Sequence, residues 1–243
     1  MGEIAKRMAE LGDGDAQVRM NAAAWLGDIR ESRALPGLLG LLRDRDWRVA
    51  GSAIEALGKI GDVGTIPALF EACEGSDVNR YTEISFALIA IAKADPQRME
   101  SAIQTIGHEG GKNENPRRRE VRAWVLMNLE HPAAVPHLID GLQDDLKGVR
   151  YNCEAGLIAL AGKAVIGMDR VTESLAKWTG KETVKGHAQG EAAARESWSI
   201  FKNIKNAVDA AENRRSGARL PRPKKLASPP GKTVKAHTGR TAI

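Results

Sequence analysis

The sequence predicts an all-α fold, an α-solenoid of about five to six stacked helical hairpins, followed by a disordered basic C-terminal tail. Three observations support this prediction. A segment recurs at a spacing of 31 residues, apolar residues within each copy fall at helical spacing, and the end of the chain combines prolines with unopposed positive charge. A period of roughly 20 to 50 residues is typical of stacked repeats, which bury their apolar faces against their neighbours. We therefore expect one elongated domain at residues 1–212 and a tail at residues 213–243.

The repeat is clearest in its first two copies, which span Asp15–Leu38 and Asp46–Leu69. They agree without a gap at an aspartate, a valine, an alanine, a leucine–glycine pair, an isoleucine and a later proline and leucine. A third copy in the same register runs from Asp77 to Ile91, with isoleucine in place of the glycine. An offset of 100 residues brings Leu126–Leu138 and Val149–Leu160 onto the same template. The repeated part therefore continues well past the middle of the chain.

The first part of each copy predicts a long amphipathic helix. In the first copy, Val18, Ala22, Leu26 and Ile29 are separated by four, four and three positions, which places them on one helical face. An aspartate precedes each such helix, at positions 15, 46 and 77. A carboxylate at this place accepts hydrogen bonds from unpaired backbone N–H groups and lies at the positive end of the helix dipole.

The second part of each copy predicts a shorter helix. Pro36 begins the apolar run that ends at Leu42, and Pro67 holds the same place in the second copy. Proline suits the first turn of a helix, because its missing N–H would have had no partner there. Each unit is therefore predicted to be a pair of antiparallel helices.

These residues carry a family resemblance. An aspartate, two or three residues, Val-Arg, an alanine pair, Leu-Gly, isoleucine and a following proline resemble the HEAT-repeat pattern, in the short form of the PBS lyase HEAT-like repeats. The clearest matches are Asp15–Pro36, Asp46–Pro67 and Asp144–Gly162, and weaker units extend the likeness over roughly residues 4–210. The resemblance implies an α-solenoid and leaves the function open.

The resemblance also implies a structural role for certain charged residues. In such repeats the arginine of Val-Arg and the aspartate of the turn commonly form a ladder between neighbouring units. This assigns Arg19 and Arg150 to structure. Ala50 holds the arginine position in the second copy, so the ladder is expected to be interrupted there.

Several classes of protein are disfavoured by the composition. No apolar segment is long enough to span a bilayer, and Met1–Ile4 lacks the basic and apolar regions of a secretory signal, so we expect a cytoplasmic protein. Cys73 and Cys153 lie far apart in the sequence, and Cys153 holds a small core position of its repeat. We expect both to be buried free thiols.

The C-terminal tail concentrates the positive charge of the chain. Nine of the 36 Lys and Arg residues and none of the 31 Asp and Glu residues lie from Arg214 onward, so residues 1–213 carry a formal charge of −4. Four prolines and little apolar periodicity predict disorder. Such a tail either contacts polyanions, including nucleic acid, or only keeps the protein soluble. The candidate polyanion contacts are Arg214, Arg215, Arg219, Arg222, Lys224 and Lys225.

An insertion interrupts the repeat between the third and fourth units. Residues 107–116 add about seven residues to the expected spacing, and a cluster of arginines at 117, 118, 119 and 122 follows at the start of a helix. Loops that interrupt a solenoid often line its binding face. Because arginines near a helix N-terminus oppose the dipole, they need acidic neighbours or a ligand. We predict either a site for an acidic partner or internal compensation by Glu114 and Glu120.

The concave face of the long helices is the predicted binding surface. Residues one position before, and three and six positions after, each valine are expected to form rows on this face. Trp124 is left open at this point, because a shift of one residue would bury it instead. Together with the arginine cluster, the predicted partner-binding residues are Arg48, Asn79, Glu83, Phe86, Arg117, Arg118, Arg119, Trp124 and Asn152.

The expected function is a non-catalytic scaffold that binds a protein partner along the concave face, with the tail adding electrostatic attraction. The first alternative is a nucleic-acid-binding protein that contacts phosphates through the tail and Arg117–Arg122. The resemblance implies a second alternative, a phycobilin lyase-like or DNA glycosylase-like enzyme. Related iron-binding hydroxylases carry several His-Glu pairs, whereas this chain has only His108-Glu109. We therefore predict no catalytic residue, no cofactor and no metal site.

Overall fold

The computed structural model describes residues 2–73, 78–109, 115–163, 199 and 202–214. All regular secondary structure within these residues is helical. Within the described residues up to 163, ten α-helices form five hairpins, in each of which a shorter helix precedes a longer one. The short helices are α1 (Glu3–Glu10), α3 (Leu35–Leu41), α5 (Ile66–Glu71), α7 (Met99–His108) and α9 (Val135–Gly141). The long helices are α2 (Ala16–Asp28), α4 (Trp47–Ile60), α6 (Val78–Ala94), α8 (Pro116–Leu129) and α10 (Lys147–Gly162).

The hairpins stack in chain order. Each long helix packs against the next, from α2 through α4, α6 and α8 to α10, and the short helices form a second layer against them. Buried leucine, isoleucine and alanine side chains fill the space between the layers in one continuous core. This arrangement confirms the predicted α-solenoid.

Two of the predicted aspartates cap the N-termini of long helices. The side chain of Asp15 accepts a hydrogen bond from the backbone N–H of Gln17 at 2.7 Å, and Asp46 accepts one from Arg48 at 3.0 Å. In α8 the side chain of Asn115 takes this role toward Arg117. Asp77, the predicted cap of α6, lies outside the described residues.

Three of the short helices have a proline in their first turn, as the sequence predicted. Pro36 and Pro67 lie in the first turns of α3 and α5, and Pro136 lies in the first turn of α9. A single 3-10 turn precedes each of these three helices and leads the chain from one layer to the other.

The glycine of the repeat allows consecutive long helices to approach closely. A Cβ atom placed on Gly27 would lie 2.6 Å from the Cα of Ala56, and one on Gly58 would lie 3.0 Å from the Cα of Ala87. Between α8 and α10 the two positions are exchanged, because a Cβ on Gly156 would lie 3.1 Å from the Cα of Met127. The distance between stacked helices is therefore set by one residue without a side chain at each such contact.

The predicted arginine ladder is present in the first unit. Arg19 is buried and binds Asp44 of the next turn through two hydrogen bonds of 2.7 and 2.8 Å. It also donates to the backbone carbonyls of Asp13 and Gly14. The hydrogen bond from Arg19 is the main cause that lowers the pKa of Asp44. Arg150 repeats the backbone part of this pattern, since it donates to the carbonyls of residues 144 and 145.

Both cysteines are buried free thiols, as predicted. Burial is the main cause that raises the pKa of Cys153 to about 12, which keeps it protonated and unreactive near neutral pH. Among the described residues, none of the helices combines the length and apolar content that crossing a bilayer requires.

Residues 202–214 form a further helical segment that packs on the stack. Ile204 and Val208 are buried in the common core. Asn203 donates to the carboxylate of Glu154 on α10 at 2.8 Å. The boundary at residue 212 remains a prediction, and residues 215–243, which contain nearly all of the predicted tail, lie outside the described residues.

The layer of short helices contains a half-buried histidine. His137 on α9 lies 3.0 Å from the side-chain oxygen of Gln104 on α7, and its ring meets that of His108 edge to face with centroids 5.4 Å apart. Gly107 makes room for this ring, because a Cβ there would lie 2.4 Å from it. Burial is the main cause that lowers the pKa of His137; the positive charges of His108 and Arg122 act in the same direction, and only Asp140 opposes them.

Gly27→Ala should destabilise the protein, whereas Gly40→Ala should not. The new methyl group at position 27 would overlap the backbone of α4, while position 40 lies in open space within α3. We expect Gly27→Ala to lower the free energy of unfolding by about 2 kcal/mol through overpacking. Gly40→Ala should leave it unchanged or raise it by up to about 1 kcal/mol, because alanine favours helix. Denaturant unfolding checks both, and equal values would contradict the close helix contact.

His137 should make the stability sensitive to acid. The pKa of His137 is lower in the folded than in the unfolded chain, so protons favour unfolding. Its stabilising contribution is complete above the ordinary histidine pKa of about 6.5 and falls as the pH decreases from there through the lower folded pKa. His137→Gln should flatten this decline, measured by unfolding midpoints between pH 7.5 and 5. His237→Gln is the control, and an equal flattening in both variants would contradict the assignment.

Candidate partner-binding groove

Five aromatic side chains line one surface of the long helices. We call this surface the aromatic groove, defined by Trp47, Tyr81, Phe86, Trp124 and Tyr151. Trp47, Phe86 and Tyr151 are 62%, 59% and 70% exposed, and Tyr81 and Trp124 are half-buried. The groove runs across α4, α6, α8 and α10, so four of the five hairpins contribute to it.

The first cavity of the groove lies between α4 and α6. It has a volume of about 480 Å³ and lies beside the rings of Trp47 and Phe86. Gly51, Gly58 and Ala87 line it and leave space that larger side chains would fill. The residues that draw the long helices together therefore also leave an apolar hollow on their exposed side.

The second cavity lies where α6, α8 and α10 meet. It has a volume of about 360 Å³ and is lined by Tyr81, Trp124 and Tyr151, with Gly148 and Asn152 beside them. Its lining thus joins three rings to a few polar groups, a combination typical of surfaces that bind apolar side chains and fix their orientation.

A ring contact joins the two cavities. Phe86 of the first cavity and Trp124 of the second meet edge to face, with centroids 5.6 Å apart and an angle of 87° between the planes. This is a favourable geometry for aromatic pairs. The two cavities are therefore neighbouring parts of one groove.

The cations along the groove are paired within the protein. Arg48 binds Asp46 at 2.7 Å, and Lys59 binds both Asp28 and Glu55. The hydrogen bond from Arg48 is the main cause that lowers the pKa of Asp46 to about 2. Two cations and two carboxylates line the first cavity, so its formal charge is balanced.

The second cavity has the same balance. Arg117 binds Glu120 at 3.2 Å and lies over the ring of Tyr81, with the guanidinium carbon 5.2 Å from the ring centroid. These two are the charged residues that line this cavity. Its charge is therefore also balanced.

Most of the predicted site residues lie on the groove. The structure places side chains of Arg48, Glu83, Phe86, Arg117, Trp124 and Asn152 along it. Trp124 takes neither of the two alternatives fully, because it packs on the core with one side and lines the second cavity with the other. Asn79 lies on α6, but its side chain is outside the described residues. Arg118 is half-buried and lines neither cavity.

Arg119 does not belong to a binding surface, contrary to our prediction. It is only 5% exposed and binds Asp144 at 2.7 Å and Asp145 at 2.5 Å. The hydrogen bond that Arg119 donates to Asp145 is the main cause that raises the pKa of Arg119. Arg119 and Asp144 are the equivalents of Arg19 and Asp44, each shifted by 100 residues. The helix presents this arginine to the next turn as part of the ladder, so we leave it out of the groove.

The structure describes only some of the remaining charged residues that were predicted to bind an acidic partner or a polyanion. Arg122 is half-buried and donates to the backbone carbonyl of Glu109 at 3.2 Å. Arg214 is exposed and donates to the carbonyl of Gly162 at 3.2 Å. The other predicted tail contacts, Arg215, Arg219, Arg222, Lys224 and Lys225, lie outside the described residues, as does Glu114.

Three groove residues were missed by the sequence reasoning. Trp47 precedes Arg48, Tyr151 precedes Asn152, and Tyr81 lies beside positions assigned to the core. The predicted rows covered a narrow line along each helix, whereas a helical face open to solvent is wider than one row. A search for exposed aromatic residues next to those rows would have found the first two.

Comparison with known protein families agrees with this architecture. The family model of HEAT repeats matches residues 4–89, and that of the PBS lyase HEAT-like repeat matches residues 123–144. The chain therefore contains HEAT repeats, and the one at residues 123–144 is of the PBS lyase HEAT-like type that the sequence pattern indicated. No curated protein matches the chain.

Solved structures resemble it at low sequence identity. A structure from work on microtubule plus-end tracking by XMAP215, CLIP-170 and EB1 is 16% identical, with 82% of this chain and 90% of that one covered and a TM-score of 0.58. The archaeal HEAT-like repeats protein from Thermococcus onnurineus NA1 is 14% identical, with 84% and 88% covered and a TM-score of 0.49. The CpcE–CpcF phycocyanin lyase complex of Nostoc sp. PCC7120 is 18% identical, with 87% and 95% covered and a TM-score of 0.43. The first of these supports the solenoid fold, and at this identity it indicates nothing about function.

Arg119→Met should destabilise the protein far more than Arg117→Met. Removal of the buried guanidinium leaves the carboxylate of Asp144 buried without its partner, at a cost of about 3 kcal/mol. Arg117 is half exposed, and loss of its pairing with Glu120 should cost within about 1 kcal/mol. Thermal and denaturant unfolding of both variants checks the difference. Similar losses in the two would contradict a ladder role for Arg119.

Proposed function

We propose that this protein is a non-catalytic scaffold that binds a segment of a protein partner along the aromatic groove. The observation that carries the proposal is the placement of its aromatic residues. Aromatic residues make up only 4% of the chain, yet five of the seven within the described residues line this one surface. Stability of the solenoid does not require three rings that are more than half exposed. A partner that covers them accounts for their position.

The energetics of covering these rings suit recognition. Full burial of a large apolar side chain contributes about 1.5–3 kcal/mol, and aromatic residues are enriched among those that dominate interface energies. Trp47, Phe86 and Tyr151 are already held on helices, so little conformational freedom is lost on binding. Three such anchors contribute at most about 4.5–9 kcal/mol before the cost of association, so micromolar affinity, which requires about 8 kcal/mol, also needs the polar contacts along the groove.

The electrostatics of the groove favour a protein partner over nucleic acid. Surfaces that bind phosphate backbones are strongly cationic, and their affinity falls steeply with salt. Here the cations that line the groove face carboxylates of the same chain, and Arg119 is buried in an ion pair. Contact between the tail and polyanions stays a separate prediction, because residues 215–243 are outside the described residues.

Substitutions in the groove should weaken partner binding without unfolding the protein. Partners are first captured with the intact chain, and their affinities are then measured by calorimetry. We expect Phe86→Ala to weaken binding about thirty-fold, equivalent to about 2 kcal/mol, as for a central interface residue. Trp47→Ala should have a comparable effect. Unchanged thermal unfolding of both variants would confirm that the fold is intact.

Ile29→Ala is the matched control. Ile29 is also an exposed apolar residue, 43% exposed, but it lies at the end of α2 and lines neither cavity. This variant should bind every partner as the wild type does. Equal affinities for the wild type, Phe86→Ala and Trp47→Ala would refute the groove as the binding site. Salt-dependent binding to generic duplex DNA, unaffected by both groove substitutions, would favour the nucleic-acid alternative.

A further inference from the structure

Arg214 is bound to the helix that carries one end of the aromatic groove. The helical segment 202–214 packs on the solenoid, and its last residue, Arg214, donates to the carbonyl of Gly162 at 3.2 Å. Gly162 is the last residue of α10, and α10 also carries Tyr151 of the groove. The basic segment that follows Arg214 is therefore tethered to α10.

The length of this segment matches the length of the groove. Tyr151 precedes Gly162 by eleven residues, or about 16 Å along α10, and the seven residues from 214 to 221 extend to about 23 Å. Residues 221 and 230 are nine steps apart in the sequence and would lie about 28 Å apart in a polyproline II conformation. Three helix-to-helix spacings, from α10 to α4, cover about 24–30 Å. A segment that starts at Arg214 can thus reach every ring of the groove.

The sequence of the segment suits an aromatic surface. Proline-rich segments in the polyproline II conformation dock in aromatic-lined grooves, because they are already extended and lose little entropy on binding. The segment has four prolines within ten residues, at positions 221, 223, 229 and 230. The groove supplies rings from four successive long helices. Their shapes are therefore complementary.

The charges of the segment suit the groove as well. Arginine and lysine are attracted to the faces of aromatic rings, and this chain already shows two such contacts, Arg117 over Tyr81 and Arg7 over Trp25. Carboxylates lie among the rings. Glu55, Glu83 and Glu120 line the two cavities, and each carboxylate can accept more than one hydrogen bond. Residues 219–230 carry four positive charges and no negative charge, whereas residues 1–213 carry a formal −4.

We propose that residues 219–230 occupy the aromatic groove of their own chain as an internal ligand that a partner must displace. The tether provides an effective concentration on the order of millimolar, so even a contact of millimolar affinity is populated in about half of the molecules. Occupancy by the tail lowers the apparent affinity of the partner by the fraction of open grooves. The proposal adds a regulatory element to the scaffold function and depends on it only for its biological consequence.

Nuclear magnetic resonance of the full-length chain tests the proposal without a partner. The indole N–H signals of Trp47 and Trp124 report on the groove and are assigned with Trp47→Phe and Trp124→Phe. The test variant changes Arg219, Arg222 and Lys224 to glutamine, and the control changes Lys232, Lys235 and Arg240 to glutamine. Both lose three positive charges from the same segment. Trp25, which lies under Arg7 in α2 outside the groove, is the internal reference.

We expect the signals of Trp47 and Trp124 to shift by several linewidths in the first variant and in 1 M salt, and to stay unchanged in the control. The signal of Trp25 should not move. Identical groove signals in the wild type and both variants would overturn the proposal, as would equal shifts in the two variants. A shift that disappears on dilution of the wild type would also overturn it, because the tail would then dock in a second copy.

The same variants separate this inference from the proposed function. If groove substitutions weaken partner binding while the indole signals are the same in the wild type and the tail variants, the scaffold function stands. The proposal that the tail occupies the groove is then wrong. If the signals respond to the tail but Phe86→Ala leaves partner binding unchanged, the groove binds the tail and the partner binds elsewhere. When both are correct, changing Arg219, Arg222 and Lys224 to glutamine should raise the affinity for the partner about twofold.

Discussion

Close approach of consecutive long helices is the constraint on which the rest of the structure depends. At Gly27 and Gly58 the backbone of one helix nearly touches an alanine of the next, so no side chain fits between them. Each helix can then bury its leucine and isoleucine residues only against neighbouring hairpins, because no larger core is available. The same contacts keep the exposed sides of α4 and α6 close together. Their glycine and alanine residues leave the first cavity of the groove between them.

The groove is most aromatic where this constraint is relaxed. Ile89 takes the place of the glycine in α6, and α6 and α8 are in less extensive contact than the other consecutive long helices. The rings of Phe86 and Trp124 meet at this junction. The insertion between the third and fourth units precedes the same junction. A departure from the repeat, in both spacing and residue type, thus coincides with the surface that we propose for recognition.

Most of the fold could be predicted from the sequence because each repeat gives the same evidence for a helical hairpin. The period of 31 residues, the helical apolar spacing and the aspartate caps each predicted the same hairpins. The candidate site was less predictable. Arg119 was assigned to the surface together with the arginine cluster that follows the insertion, although its distance of 100 residues from Arg19 indicated the ladder. Trp47 and Tyr151 were missed because the predicted rows covered only a narrow line along each helix, whereas the exposed face of a helix is wider.

At the contact between α8 and α10 the glycine lies on the later helix, whereas at the earlier contacts it lies on the earlier helix. This difference affects how such repeats should be redesigned. In α8 and α10 the bulky residue is Met127 and the small one is Gly156, the reverse of the earlier pairs. What these contacts share is therefore one glycine at two facing positions, on either of the two helices. Placing the repeat's glycine at position 127 as well would put two residues without side chains opposite each other. Consensus redesign of such arrays has to treat facing residues as one unit.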